Sequence, residues 1–267
     1  MLNILFWNLK RNAVEDYIVD CLIENNVDIA VFSEFEGIDF IQIEEKLGSM
    51  YERIVQIQND KKVTLMAKQT FSVKIIQQQH RYNLYIVNTA IKDYLLSAVH
   101  LEDRINFDKA DRIETIKALV RDIEQAEKIF KCCNTIVIGD FNANPYDEEL
   151  LSKYAFNAVL FKKIILKSDL TNPNTLKCRR FYNPILHYIS EETEMYGSFY
   201  YEKDHNTPYW HCIDQVLVRK DLVDCISHVE YLKRINGKPL LKKAIPNKNI
   251  SDHLPLLVNL REVGDGV

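Results

Sequence analysis

The stretch Thr135–Pro145, TIVIGDFNANP, carries the reading of this chain. TIVI is a short, fully apolar β-branched run, the signature of a strand buried on both faces. Gly139 then marks a tight turn, and an Asp and an Asn follow with one residue between them, at Asp140 and Asn142. Two acid–amide side chains at the carboxyl end of a buried strand are a costly choice for structure alone. Three further strands end in the same way. Asn8 follows ILFW, Glu34 follows DIAVFS and His100 follows LLSAV. Near the other end of the chain, Asp214 opens IDQVLV, and Asp252–His253 in SDHLP immediately precedes LPLLV. If those last strands run antiparallel to the others, all of these positions meet on one rim.

Outward from these strands, a helix is expected over Ala13–Asn26. Strands at Tyr51–Ile57, Val63–Ala67, Phe71–Gln77, Leu84–Ala90 and Tyr94–Val99 suit an antiparallel meander. A longer helix begins near Asp108, where Ile113, Ile116, Val120 and Ile123 recur at three- and four-residue steps. Phe156 to Trp210 reads as an irregular insertion. Strands resume at Ile213–Val218, His228–Leu232 and Leu256–Leu260. Many strands, few helices and no internal repeat predict one domain over residues 1–267, of α/β class, with two packed sheets and helices outside.

The 267 residues are 47% hydrophobic, enough for one sizeable core. A net charge of −4 and a pI near 6.0 exclude a protein that coats nucleic acid or membranes by bulk charge. No apolar run has the length of a membrane span, and Met1–Leu9 is too short for a signal peptide and lacks a basic leading segment. The six cysteines, Cys21, Cys132, Cys133, Cys178, Cys212 and Cys225, form no CxxC pair, which points to a reducing cytoplasm without a zinc site or a disulfide framework.

The polar set suits phosphate chemistry. Glu34, Asp140 and Asp252 are hard oxygen ligands fit for Mg²⁺ or Mn²⁺. His100 and His253 exchange protons near neutral pH. Asp214 can orient an imidazole through a charge-assisted hydrogen bond, and Asn8 and Asn142 can donate to phosphate oxygens without adding charge. Taken singly, each has a plainer role: a solvated strand-end Glu34, a loop-capping Asp214, a surface or core His100.

From ILFWN through DIAVFSE, SAVHL, IVIGDFNANP and CIDQVLV to SDHLPLLV, the chain resembles the endonuclease/exonuclease/phosphatase superfamily, with its deoxyribonuclease-I-like fold. The resemblance implies a four-layer α/β sandwich and a Mg²⁺-dependent hydrolase of phosphate esters. It implies that Glu34 is the principal metal ligand, with Asn8 and Asp252 beside it. Asp140 and Asn142 would position the attacking water and the phosphate. His253, paired with Asp214, would be the general base or the phosphate-binding imidazole, and His100 the second histidine of the nuclease and sphingomyelinase branches. Two departures stand out. Lys10 occupies a position that is acidic in many abasic-site nucleases, which argues against a second metal there. Pro145, Trp210 and Gln215 do not match the inositol-polyphosphate phosphatase motifs.

For the substrate, FKKIILK (Phe161–Lys167), CRRFY (Cys178–Tyr182) and the aromatics Phe199, Tyr200, Tyr201, Tyr209 and Trp210 allow two readings. Arg179, Arg180 and Trp210 could hold phosphates and bases of a nucleic acid, or the stretch is a solvated basic loop over buried rings. A nuclease is the leading function. A lipid or small-metabolite phosphodiesterase or phosphatase is the alternative, and an inactive binding module is a third.

Overall fold

The computed structural model describes residues 1–55, 62–167, 179–190, 192–203 and 209–262. The chain begins with β1 (Leu2–Asn8), α1 (Glu15–Glu24), β2 (Ile29–Ser33), α2 (Phe40–Leu47), β3 (Tyr51–Ile54) and β4 (Val63–Lys68). Next come β5 (Ser72–Gln78), β6 (Tyr82–Asn88), β7 (Asp93–His100), α3 (Lys109–Phe130), β8 (Thr135–Asp140) and α4 (Glu148–Leu151). Short elements follow: β9 (Ala158–Val159), α5 (Lys162–Leu166), β10 (Phe181–Tyr182) and α6 (Ile185–Tyr188). A hairpin, β11 (Phe199–Tyr201) with β12 (Tyr209–His211), leads into β13 (Asp214–Val218) and β14 (Ile226–Tyr231). Two small hairpins, β15 (Arg234–Ile235) with β16 (Lys238–Pro239) and β17 (Leu241–Lys242) with β18 (Ile245–Pro246), precede the final β19 (Leu256–Leu260).

The strands form a six-stranded sheet, β14-β19-β1-β2-β4-β3, and a seven-stranded sheet, β5-β6-β7-β8-β13-β10-β9. The expected meander therefore divides: β3 and β4 pair in the first sheet, and β5–β7 begin the second. The sheets pack face to face, with β1 and β2 against β8 and β4 against β7. Their inner faces supply one continuous apolar core, from Ile4, Phe6, Val31 and Leu65 to Ala98, Ile136, Ile138 and Val216. Leu22, Phe40 and Ile43 join it from α1 and α2, which cover the first sheet. A second core lies between α3 and the other sheet, where Ile116, Leu119 and Ile123 meet Leu84, Leu95 and Val137. The result is a four-layer α/β sandwich.

Helix α2 was not anticipated, although its local signals are clear: Asp39 accepts from the Ile41 and Gln42 amides, and Phe40, Ile43 and Leu47 line one face. The stretch from Phe156 is less irregular than expected. β9 and β10 extend the seven-stranded sheet, and FKKIILK folds as α5. Cys178 lies outside the described residues. Among the described residues, no helix is long and apolar enough to cross a membrane.

Candidate active site

Strand register builds the site. β7 and β8 run parallel with His100 opposite Asp140, and β13 runs antiparallel to β8 with Asp214 opposite Asp140. His100, Asp140 and Asp214 thus form a row across three neighbouring strands. In the first sheet β1 and β2 run parallel with Asn8 opposite Ser33, and Glu34 is the next residue. β19 runs antiparallel to β1, which returns Asp252 and His253 to the same rim. The close face-to-face packing of the sheets brings both rows together.

Gly139 makes this approach possible. A Cβ there would lie 2.0 Å from the Val99 carbonyl oxygen, so any side chain would push β8 off β7. Glu34 and Asn142 both adopt left-handed backbone, at φ of 46° and 50°. That conformation is uncommon for non-glycine residues and recurs where a site dictates side-chain direction.

Asn8 joins the two rows. Its Nδ2 donates to Glu34 Oε1 at 3.3 Å and to Asp140 Oδ2 at 3.2 Å. Its Oδ1 accepts from the Lys10 amide. Asp140 Oδ1 accepts from the Asn142 amide at 2.8 Å, and the Asn142 side chain donates to the Leu101 carbonyl. His100 Nε2 lies 3.9 Å from Glu34 Oε1 and 3.8 Å from Asp140 Oδ2. Across the rim, His253 Nδ1 meets Asp214 Oδ2 at 2.8 Å, with both side chains buried. Ser251 holds that turn: its hydroxyl donates to the Asn8 carbonyl and accepts from the His253 amide. Trp7 closes it by donating its indole N–H to the His253 carbonyl.

Burial and charge set the protonation states. Burial alone would depress the His253 imidazole. The Asp214 carboxylate, backed by Asp140 and Asp252, outweighs it and raises the imidazole to about 10. Burial pushes His100 down to about 3, with the charge of Arg81 adding to it, so His100 is neutral. Burial and the charge on Asp214 lift Asp140 to about 7.

Asp252 is placed at the rim, but its carboxylate faces Lys10, with Nζ to Oδ2 at 3.3 Å. Arg179 and Arg180 are elsewhere. Arg179 binds Glu127 at 2.7 Å beside Arg219, whose guanidinium donates to the Arg179 and Arg180 carbonyls. Arg219 stands five residues beyond Asp214 on β13, about 17 Å away along a strand. Trp210 packs on Tyr196 and Tyr200. Strand alternation puts it on the opposite face of its hairpin from His211 and Phe199.

Sequence reasoning did not single out Asn144 and His211. Asn144 Nδ2 lies 3.3 Å from His211 Nδ1, and Asn144 Oδ1 accepts from the Cys212 amide, tying the GDFNANP turn to β12. The second Asn of that motif was the available signal. Phe199 packs on His253 with ring centroids 4.9 Å apart.

No family model matches the chain, and no curated protein matches it. Solved structures do. D. rerio TDP2 complexed with single-strand DNA product is 16% identical, with 96% of this chain and 97% of that one covered, at a TM-score of 0.58. An endonuclease/exonuclease/phosphatase family protein from Bacteroides thetaiotaomicron is 13% identical, with 97% of each chain covered, at 0.59. The chain has the fold of these structures, a deoxyribonuclease-I-like four-layer α/β sandwich. The human Nocturnin catalytic domain with bound sulfate shares this fold at 14% identity and a TM-score of 0.58, over 98% of this chain and 94% of that one.

The side chains gathered at the rim fit a divalent cation. Asp140, Asp214 and His253 offer ligand atoms within 4.8 Å of one another. His253 is committed to Asp214, so the carboxylate oxygens of Glu34 and Asp140, which the Asn8 side chain bridges, are the better cradle for a hard cation. The Asp214 Oδ1 atom and the His100 Nδ1 atom are buried without hydrogen-bond partners among the described residues. Buried polar atoms of this kind are costly unless a cation, water or substrate serves them.

Proposed function

We propose that this chain is a divalent-cation-dependent hydrolase of phosphodiester bonds, with nucleic acid as its substrate. One observation carries the reading: two buried carboxylates in register, Asp140 and Asp214, with the His253 imidazole paired to Asp214 and Glu34 bridged to Asp140 through Asn8.

Glu34 and Asp140, bridged by Asn8, would hold the Mg²⁺ or Mn²⁺. When bound, it would neutralise charge on the phosphoryl oxygens. Asp140 stands in that cradle beside Asp214 and His253, placed to orient the attacking water. The Asn8 and Asn142 N–H groups hold its two oxygens in place, one each. His253, paired with Asp214 and protonated at neutral pH in the metal-free protein, is placed to donate a hydrogen bond to a phosphoryl oxygen. Asp214 fixes its ring and compensates its charge. His100 is neutral and so adds a polar contact without a charge. Lys10, on Asp252, holds a positive charge at the corner where a second cation would otherwise sit.

DNA is favoured as the polymer because D. rerio TDP2 is seen with a single-strand DNA product. RNA is the second polymer to test. The experiment is incubation of the purified chain with bis-p-nitrophenyl phosphate, plasmid, single-stranded DNA and RNA, in Mg²⁺ or EDTA. Metal-dependent cleavage of the small diester and of one polymer is expected. No cleavage of any phosphodiester would end the reading. Turnover of a phosphocholine or phosphoinositide lipid with no polymer cut would end its nucleic-acid part.

A further inference from the structure

Two features of the rim lie outside the catalytic groups. The first is charge. Between Glu230 and Asp252 the sequence holds six cations, Lys233, Arg234, Lys238, Lys242, Lys243 and Lys248, and no acid, within a chain of net charge −4. Lys233 and Lys238 are paired with Glu194 and Asp20. Lys242, Lys243 and Lys248 are exposed, and no carboxylate pairs with them among the described residues.

The backbone delivers these lysines to the site. β18 packs against β11, which touches His253 through Phe199. Asn12, on the same turn as Lys10 and Arg11, donates to the carbonyls of Lys248 and Ile250 at 3.1 and 3.0 Å. At the β17–β18 tip both Lys243 and Ala244 are left-handed, with φ of 54° and 61°. A two-residue hairpin turn favours Asn or Gly there, so the tip holds Lys243 outward at some conformational cost.

The second feature is a line of rings. From His253 the Phe199 ring is 4.9 Å away, and from Phe199 the Tyr201 ring is 6.3 Å away with planes 22° apart. Tyr209 stands directly across the hairpin from Tyr201. Tyr201 and Tyr209 are 41% and 56% exposed, so flat aromatic surface is open to solvent at the end of the line.

We propose that the hairpins β11–β12 and β17–β18 form a track for a single nucleic-acid strand, with rings for its bases and Lys242, Lys243 and Lys248 for its phosphates, ending at His253. Ring faces can stack only on bases that are not already stacked in a duplex, and lysines beside them match a backbone that repeats its charge. An anionic membrane would call for large apolar side chains at the hairpin tip, such as Trp, Phe or Leu, where Lys243 and the small Ala244 stand. The proposal rests on the phosphodiesterase reading for its direction towards His253, but strand binding is measured without catalysis.

The test uses the full chain in EDTA with a fluorescein-labelled oligothymidine, read by anisotropy over a range of salt. Wild type is expected to bind the single strand more tightly than a duplex of mixed sequence, with affinity falling steeply as salt rises. Replacing Lys242 and Lys243 with Ala should weaken binding at low salt and flatten the log–log salt slope by about 1.4, near 0.7 for each phosphate no longer neutralised. Independently, Tyr201→Ala should weaken binding at least about 5-fold with the slope unchanged. Circular dichroism confirms that each variant is folded. Folded variants that bind like wild type, a duplex bound as tightly as the single strand, or capture of phosphatidylserine vesicles without oligonucleotide binding would each overturn the proposal. Hydrolysis of bis-p-nitrophenyl phosphate by wild type in Mg²⁺ separates the two readings. Its absence alongside the expected binding pattern removes the catalytic reading and leaves the track. Its presence with unaffected variants removes the track alone.

Discussion

Asp140 and Asp214 face each other across neighbouring antiparallel strands, both buried, and the His253 imidazole sits against the second of them. Two carboxylates so close cannot both stay charged without compensation. Asp214 is compensated by His253, which leaves Asp140 as the carboxyl that takes up a proton near neutral pH.

The first prediction tests that division. Asp214→Asn should lower the pH at which the His253 ring titrates, which imidazole NMR reads directly. Loss of His253 itself, as Ala, should cost on the order of 10²–10⁴ in rate, the usual contribution of a positioned proton-bearing group. Asp214→Asn should cost part of that. An unshifted ring titration, or wild-type turnover by folded His253→Ala, would break the assignment.

Stability of the metal-free protein should depend on pH in two opposed ways. Folded His253 holds its proton to about 10, whereas an unfolded imidazole releases it near 6.5. Between those values the native state binds more protons, so its contribution is full below 6.5 and is lost as pH rises towards 10. His100 is the reverse. Its folded imidazole stays neutral down to about 3, so its contribution is present above 6.5 and is lost as pH falls. Asp140 keeps a proton up to about 7 in the fold and releases it near 3.8 unfolded, so it opposes the His100 effect between 3.8 and 6.5. Thermal melts should therefore show the alkaline limb in wild type and the acid limb in an Asp140→Asn background. Asp214→Asn should flatten the alkaline limb, and His100→Asn the acid limb.

Glu34→Gln should weaken divalent-cation binding and nearly abolish hydrolysis, because it removes one full charge from a hard-oxygen cradle. Mn²⁺ titration followed by electron paramagnetic resonance gives the affinity apart from activity. Mg²⁺ should raise the melting temperature of wild type more than that of the variant. Equal shifts would remove Glu34 from the metal site.

Gly139→Ala should destabilise the fold by roughly 1–3 kcal/mol, as overpacking does. Its Cβ would meet the Val99 carbonyl at 2.0 Å, inside the β7–β8 pairing that aligns His100 with Asp140. Denaturant melts read the loss. A variant as stable as wild type would show that the strands can part without cost.

At the opposite end of β13, Arg219 and Glu127 are both buried and bonded at 2.8 Å. Glu127→Ala should cost about 3–5 kcal/mol by stranding the guanidinium. Arg179→Ala, which loses only a half-exposed arm of the same cluster, should leave single-strand binding unchanged. A flattened salt slope in Arg179→Ala would return that residue to the substrate surface.

Residue patterning was enough to locate the strands that carry the site and the residue type at each strand end. Apolar runs such as ILFW and TIVIG are buried in the structure, and an acid or amide placed just past them must leave the core at a rim. Asn8, Glu34, His100, Asp140, Asp214 and His253 were legible for that reason. Local patterning also marked α3, whose apolar spacing is unbroken over several turns. The tertiary structure alone decided what joins what. That β3 and β4 pair in one sheet and β5–β7 in the other depends on long-range hydrogen bonding, which strand patterning does not encode. Whether a cation is catalytic or structural depends on its neighbours. Arg179 and Lys242 look alike in the chain, yet Arg179 is held by a buried Glu127, and Lys242 has no acid partner among the described residues. The same holds for protonation. Two histidines of ordinary chemistry are driven apart, to about 3 and about 10, by burial near Arg81 in one case and by contact with Asp214 in the other. Charge–charge energies depend on distance through a low-dielectric interior, and only the packed sheets set those distances.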